Sequence, residues 1–121
     1  MKAYIYKAAL YCEDCAARIK TALEMNADNT RTPIYCDDSD KYPQGPLANG
    51  GGEADTPQHC DSCGVFLENV LTSDGDKYAR DALARYELAD NMSWEDIARA
   101  AEHDGKHELA QWARFYFAPG Q

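Results

Sequence analysis

Four cysteines stand in two Cys-x-x-Cys pairs, Cys12-Glu13-Asp14-Cys15 and Cys60-Asp61-Ser62-Cys63. Deprotonated sulfur is a soft ligand, and zinc takes four such donors in a tetrahedron. Each pair bends the backbone so that two sulfurs can address one ion, so two pairs complete one shell. Gly64 follows Cys63 directly, and glycine tolerates the positive φ of a tight knuckle. The expected site is therefore one structural Zn²⁺ held by Cys12, Cys15, Cys60 and Cys63. A catalytic zinc keeps an open position, which four cysteines would close. No catalytic residues, no cofactor besides zinc and no enzyme activity are expected.

Cys36 and His59 are rival ligands. His59 abuts Cys60, and adjacent side chains diverge. Cys36 stands alone beside Asp37 and Asp38, and a lone free cysteine is most often a small buried apolar residue. Forty-four residues separate Cys15 from Cys60. Closing such a loop costs about 3–4 kcal/mol, whereas structural zinc supplies about 10–16 kcal/mol, so the spacing is no obstacle.

Other chemistries compete. A strand running into Cys12-Glu13-Asp14-Cys15 at a helix start resembles the thioredoxin arrangement, in which the helix N-terminus lowers a thiol pKa; a thiol–disulfide redox protein using Cys12 and Cys15 is the first alternative. Glu13 and Asp14 oppose the thiolate, and the second pair would be left over. Residues 94–116 have the outline of a helix-turn-helix, which makes a nucleic-acid adaptor the second alternative. Its reading helix would offer Lys106 and Arg114 against Glu108. His103 and His107 are four apart, with Gly105 between them as a helix terminator. The acidic residues Asp37, Asp38, Asp40, Glu53 and Asp55 lack the order of a calcium loop. Walker A, Gly-x-Ser-x-Gly, dinucleotide and His-Glu-x-x-His motifs are absent from the sequence.

The elements that must position the cysteines can be read from periodicity. Residues 2–11, rich in tyrosine and isoleucine, read as one strand. Residues 14–25 read as an amphipathic helix with Cys15 in its first turn, since Cys15, Ile19, Ala22 and Leu23 share a face. Residues 26–59 carry the five prolines' majority and Gly50-Gly51-Gly52, and read as a long loop with a short strand at 32–36. A short strand at 65–67 and a turn at Ser73-Asp74-Gly75 follow. Three helical stripes close the chain: Ala79, Ala82, Leu83 and Tyr86; Trp94, Ile97, Ala98 and Ala101; Leu109, Trp112, Ala113 and Tyr116. Ser93 is an N-cap, Asp96 its N3 partner and Gly105 a stop. The expected fold is α+β. It is one domain over 1–121, with a zinc-clamped β element and N-terminal helix in 1–72, whose long loop spans 26–59, and about three helices in 73–118.

Cys60, Cys63 and Gly64 resemble the knuckle of zinc ribbon and treble-clef proteins, and Cys12 and Cys15 at a strand-to-helix junction resemble the helical half of a treble clef, here placed first. The resemblance implies a structural zinc site. The stretch Gly50-Gly51-Gly52-Glu53-Ala54-Asp55-Thr56-Pro57-Gln58-His59-Cys60-Asp61-Ser62-Cys63-Gly64 is also similar to a segment of small bacterial and phage proteins of uncharacterised role, and implies no activity.

Composition bounds the rest. The 21 acidic and 12 basic residues give a formal charge of −9, so nucleic acid is disfavoured, because such binding draws on lysines and arginines that release counterions. A protein partner, of unidentified kind, fits better, and a basic surface would meet this chain faster through long-range attraction. No apolar run nears the roughly 20 residues of a membrane span, and Lys7 interrupts any export signal. The expected compartment is the cytoplasm, whose reducing conditions keep thiols available for metal. Five cysteines could not in any case pair completely.

Overall fold

The N-terminal stretch folds back on itself instead of running on as one strand. Strand β1 (Ala3–Tyr6) and strand β2 (Ala9–Cys12) pair antiparallel with Ala3 opposite Cys12 and Tyr6 opposite Ala9. Lys7 and Ala8 make the two-residue turn at φ 48° and 62°, the left-handed pair whose twist matches that of a hairpin. Neither residue is the usual Asn or Gly, which is why the sequence reads as continuous. Helix α1 (Glu13–Met25) follows without a break, with Glu13 and Asp14 in its first turn, where negative charge suits the positive end of the helix dipole. The computed structural model describes residues 1–25 and 38–118; the strand expected at 32–36 lies outside the described residues.

The expected loop holds further structure. Strand β3 (Gln44–Leu47) pairs antiparallel with β1, giving the order β2-β1-β3, and Asn49–Gly51 form a 3₁₀ turn. Gln-Gly-Pro-Leu reads as a breaker, yet an edge position tolerates a missing N–H. Residues 58–67 form a narrow ribbon: Leu67 N donates to Gln58 O at 2.9 Å, and His59 and Phe66 form one antiparallel bridge. The strand expected at 65–67 is thus a single bridge within a knuckle. The buried Asn69 side chain accepts from Gln58 N at 2.7 Å and donates to Val70 O at 3.3 Å.

Two compact units result. The first comprises Met1–Glu53 and Gln58–Val70, the second Ala54–Pro57 and Leu71–Gln121. In the first unit the buried cluster is Ala3, Cys12, Cys15, Cys60 and Leu67, with Leu10 and Tyr11 against it. Three of its five members are cysteines.

The second unit is helical. Helix α2 (Ser73–Ala84) begins where a turn was expected, because Thr72 caps it: its hydroxyl accepts from Gly75 N at 3.0 Å. Helix α3 (Trp94–His103) has a complete capping box between Ser93 and Asp96, and Gly105 follows its end at φ 80°. Helix α4 (His107–Trp112) continues into a π-helical stretch, Ala113–Phe117. Leu83, Tyr86, Ile97, Ala98, Ala101, Ala110 and Ala113 form the core. A three-stranded antiparallel sheet with one N-terminal and three C-terminal helices makes the fold α+β. Among the described residues, no helix is long and apolar enough to cross a membrane.

Arg114 joins α3 to the π-helical stretch. Its guanidinium donates twice to Glu95, each at 3.0 Å, and also to Glu102. Those hydrogen bonds hold both carboxyls below the usual glutamate range. A carboxyl whose folded pKa is depressed contributes stability above its unfolded pKa and loses it as pH falls through the folded one. Arg114→Met should therefore lower the melting temperature near pH 7, and the gap to the native chain should close progressively as the pH drops below the ordinary glutamate value of about 4.3. Thermal melts followed by circular dichroism at several pH values check this; a gap independent of pH would show that Arg114 acts through packing alone.

Candidate metal centre

The first pair is positioned by the hairpin and the helix it feeds. Cys12 is the last residue of β2, opposite the fully buried Ala3, and Cys15 lies one helical turn on. The Cys15 N–H points back to Cys12 Sγ at 3.4 Å, a contact that free helix-start amides readily make. The second pair sits at the tip of the 58–67 ribbon. Cys60 N donates to Val65 O and Gly64 N to Cys60 O, both at 2.9 Å. Gly64 adopts φ 80°, and nothing lies within 4 Å of where its Cβ would be. The knuckle thus requires glycine for its backbone angle and not for space.

One backbone bond brings the two halves together: Asp61 N donates to Leu10 O at 2.8 Å. It fastens the tip of the ribbon to β2, two residues before Cys12. As a result the sulfurs of Cys12, Cys15, Cys60 and Cys63 all lie within 4.8 Å of one another. Cys12 Sγ and Cys63 Sγ are 3.7 Å apart, well beyond a disulfide bond of about 2.05 Å. Cys12, Cys15 and Cys60 are buried and Cys63 is exposed. Among the described residues, no other group of three or more histidine, cysteine or acidic side chains is close enough to share an ion.

The local electrostatics fit a ligand set better than a redox pair. Burial pushes the Cys12 thiol up to about 12 and raises Cys15 as well. Burial acts the same way on Cys60, but hydrogen bonds from backbone amides, Cys63 foremost, outweigh it and bring that thiol down to about 6. A thioredoxin-like nucleophile at Cys12 would need the opposite shift. Several sulfurs so close together repel one another as anions, and a cation at their centre removes that repulsion.

No protein-family model matches this chain, and no curated protein and no solved structure is detectably similar to it. The site's reading rests on its own geometry: four sulfur donors converge and can hold a metal ion.

The rivals fall elsewhere. His59 lies outside the cluster and packs on Phe66, with ring centroids 5.5 Å apart. Cys36 and Asp37 lie outside the described residues. His103 ends α3 and His107 begins α4, separate elements on either side of Gly105. Of the acidic residues, Asp38 accepts from Asp40 N at 2.9 Å within a turn, and Asp55 accepts from the hydroxyl of Thr72, the cap of α2, at 2.6 Å. Sequence reasoning missed a cleft of about 420 Å³ beside the cysteines, lined by Met1, Cys12, Glu13, Arg18, Cys63 and Val65 among others. Nothing in the spacing of Met1, Arg18 and Val65 signals that they meet.

Proposed function

We propose that this chain is a structural zinc protein, with one Zn²⁺ held by Cys12, Cys15, Cys60 and Cys63, and that it acts as a non-catalytic protein-interaction or regulatory module. The observation that carries the reading is the convergence of the four sulfurs within 4.8 Å. Zinc–sulfur bonds of about 2.3 Å in a tetrahedron put sulfurs about 3.8 Å apart along each edge, and the Cys12–Cys63 separation is 3.7 Å. The donor chemistry selects zinc over hard cations, since thiolate is a poor ligand for calcium or magnesium. A strand-to-helix half and a knuckle half are the parts of a treble clef in reversed chain order. Four thiolates fill the shell, which favours a structural over a catalytic ion.

The interaction role draws on charge, the net −9 favouring a basic protein surface over a polyanion. The nucleic-acid alternative loses support at Arg114, because Glu95 and Glu102 already engage the cation that a reading helix would offer.

Elemental analysis of protein purified without chelator should find one zinc per chain. Replacement by Co²⁺ should give the intense visible bands of a tetrahedral thiolate site. Metal-free protein with Cys12–Cys15 and Cys60–Cys63 disulfides after reducing purification would overturn the reading.

A further inference from the structure

Three of the four sulfurs are shielded and one is not. Cys12, Cys15 and Cys60 retain 7%, 3% and 3% of their surface, whereas Cys63 is exposed. The cleft of about 420 Å³ reaches the cluster, with Cys12, Cys15 and Cys63 in its lining beside Met1 and Val65. It is ample for a small solute, and the exposed Cys63 is part of its lining. The neighbour across the cluster is also defined, since Cys12 Sγ lies 3.7 Å from Cys63 Sγ and needs less than about 2 Å of closure to reach bonding distance. These two cysteines come from different Cys-x-x-Cys pairs, so a bond between them takes one ligand from each half of the site.

We propose that Cys63 is an oxidation site for hydroperoxides and that its oxidation closes a Cys12–Cys63 disulfide which expels the metal ion. The inference rests on the zinc reading above. The Cys63 thiolate attacks one oxygen of hydrogen peroxide; an S–O bond forms, the O–O bond breaks and hydroxide leaves, making Cys63 a sulfenic acid. The Cys12 sulfur, which coordination in the loaded site would hold deprotonated, then attacks the Cys63 sulfur, the S–S bond forms, the S–O bond breaks and a second hydroxide leaves. Two electrons pass from the two sulfurs to one peroxide, and two protons from solvent convert the hydroxides to water. The ion keeps only Cys15 and Cys60 and dissociates. The crosslink differs from the Cys12–Cys15 bridge of a thioredoxin-like cycle, because it starts at the exposed Cys63 and joins it to Cys12, 3.7 Å away in the other half of the site.

The experiment uses the full-length, zinc-loaded chain, with metal content measured before oxidant is added. Substoichiometric hydrogen peroxide is then titrated in while a chromophoric chelator reports free zinc and peptide mapping locates the crosslinks. One zinc should be released per peroxide consumed, with Cys12–Cys63 as the first disulfide. Cys63→His, which keeps a zinc ligand but removes the oxidisable thiol, should slow release by about tenfold or more. A first crosslink within either Cys-x-x-Cys pair, zinc loss with Cys63 at the sulfinic stage and no crosslink, or unchanged release from a zinc-loaded Cys63→His protein would each overturn the inference and leave the zinc site standing. If Cys63→His does not hold zinc, the crosslink map of the native chain decides. A chain without metal before oxidant would overturn the zinc reading, and with it this inference.

Discussion

Chelation of the metal from the full chain should abolish slow amide exchange through residues 3–25 and 58–67 while amides of α3 and of residues 107–117 stay protected. The first unit buries few large aliphatic side chains. Among the described residues, its buried cluster contains Leu67 as the one large aliphatic chain that is fully buried, accompanied by Ala3 and three cysteines, and Tyr4, Tyr42 and Phe66 are the unit's other large buried side chains. Burying one leucine contributes about 1.5–3 kcal/mol, whereas structural zinc contributes about 10–16 kcal/mol to the elements it joins. Hydrogen exchange read by mass spectrometry, with and without chelator, measures this directly. Uniform loss of protection along the chain would mean that zinc nucleates one cooperative fold, and unchanged protection would make the site peripheral.

The second large effect should come from Leu83→Ala. Leu83 is 1% exposed and belongs to the helical cluster with Tyr86, Ile97 and Ala101. Truncating a buried leucine costs about 2–5 kcal/mol, the spread reflecting how far neighbours relax into the cavity. Four alanines of the same cluster, at 98, 101, 110 and 113, cannot fill a void, while Met92, Leu109 and Phe117 packed against the cluster can relax toward it, so a loss within that range is expected. Urea denaturation followed by helical circular dichroism checks the loss. The variant should keep its zinc, and a variant that loses both together would show that metal and helical core are energetically coupled.

The cysteines were legible in the sequence because metal chemistry fixes both residue type and spacing: Cys12, Cys15, Cys60 and Cys63 could be paired on paper, and the structure brings their sulfurs together. The helices were legible where caps and stripes agree, as at Ser93 and Asp96 ahead of Ile97, Ala98 and Ala101. The hairpin was not. Its turn uses Lys7 and Ala8, residues that pay for a positive φ through strand pairing on either side, and no local signal announces them. Strand β3 was hidden for the opposite reason, since Gly45 and Pro46 look like breakers until an edge position is known. Thr72 was missed as a cap because Gly75 behind it suggests a turn, although it is that glycine's amide which the threonine accepts. Nor could spacing disclose the bond from Asp61 N to Leu10 O, a pairing set only once the ribbon has reached β2.

That late-made bond has a consequence during synthesis. Cys12 and Cys15 precede Cys60 by more than forty residues, and at about 5–20 residues per second a ribosome needs several seconds to cover that distance. The hairpin can close in about 1–10 microseconds, so the nascent chain repeatedly brings two sulfurs together as a transient half-site long before its complement exists. In that interval any thiophilic ion, copper(I) included, meets two donors and no geometric constraint. Discrimination in favour of a tetrahedral ion arrives only with the second knuckle, which makes the choice of metal one of the last decisions in the biogenesis of the first unit.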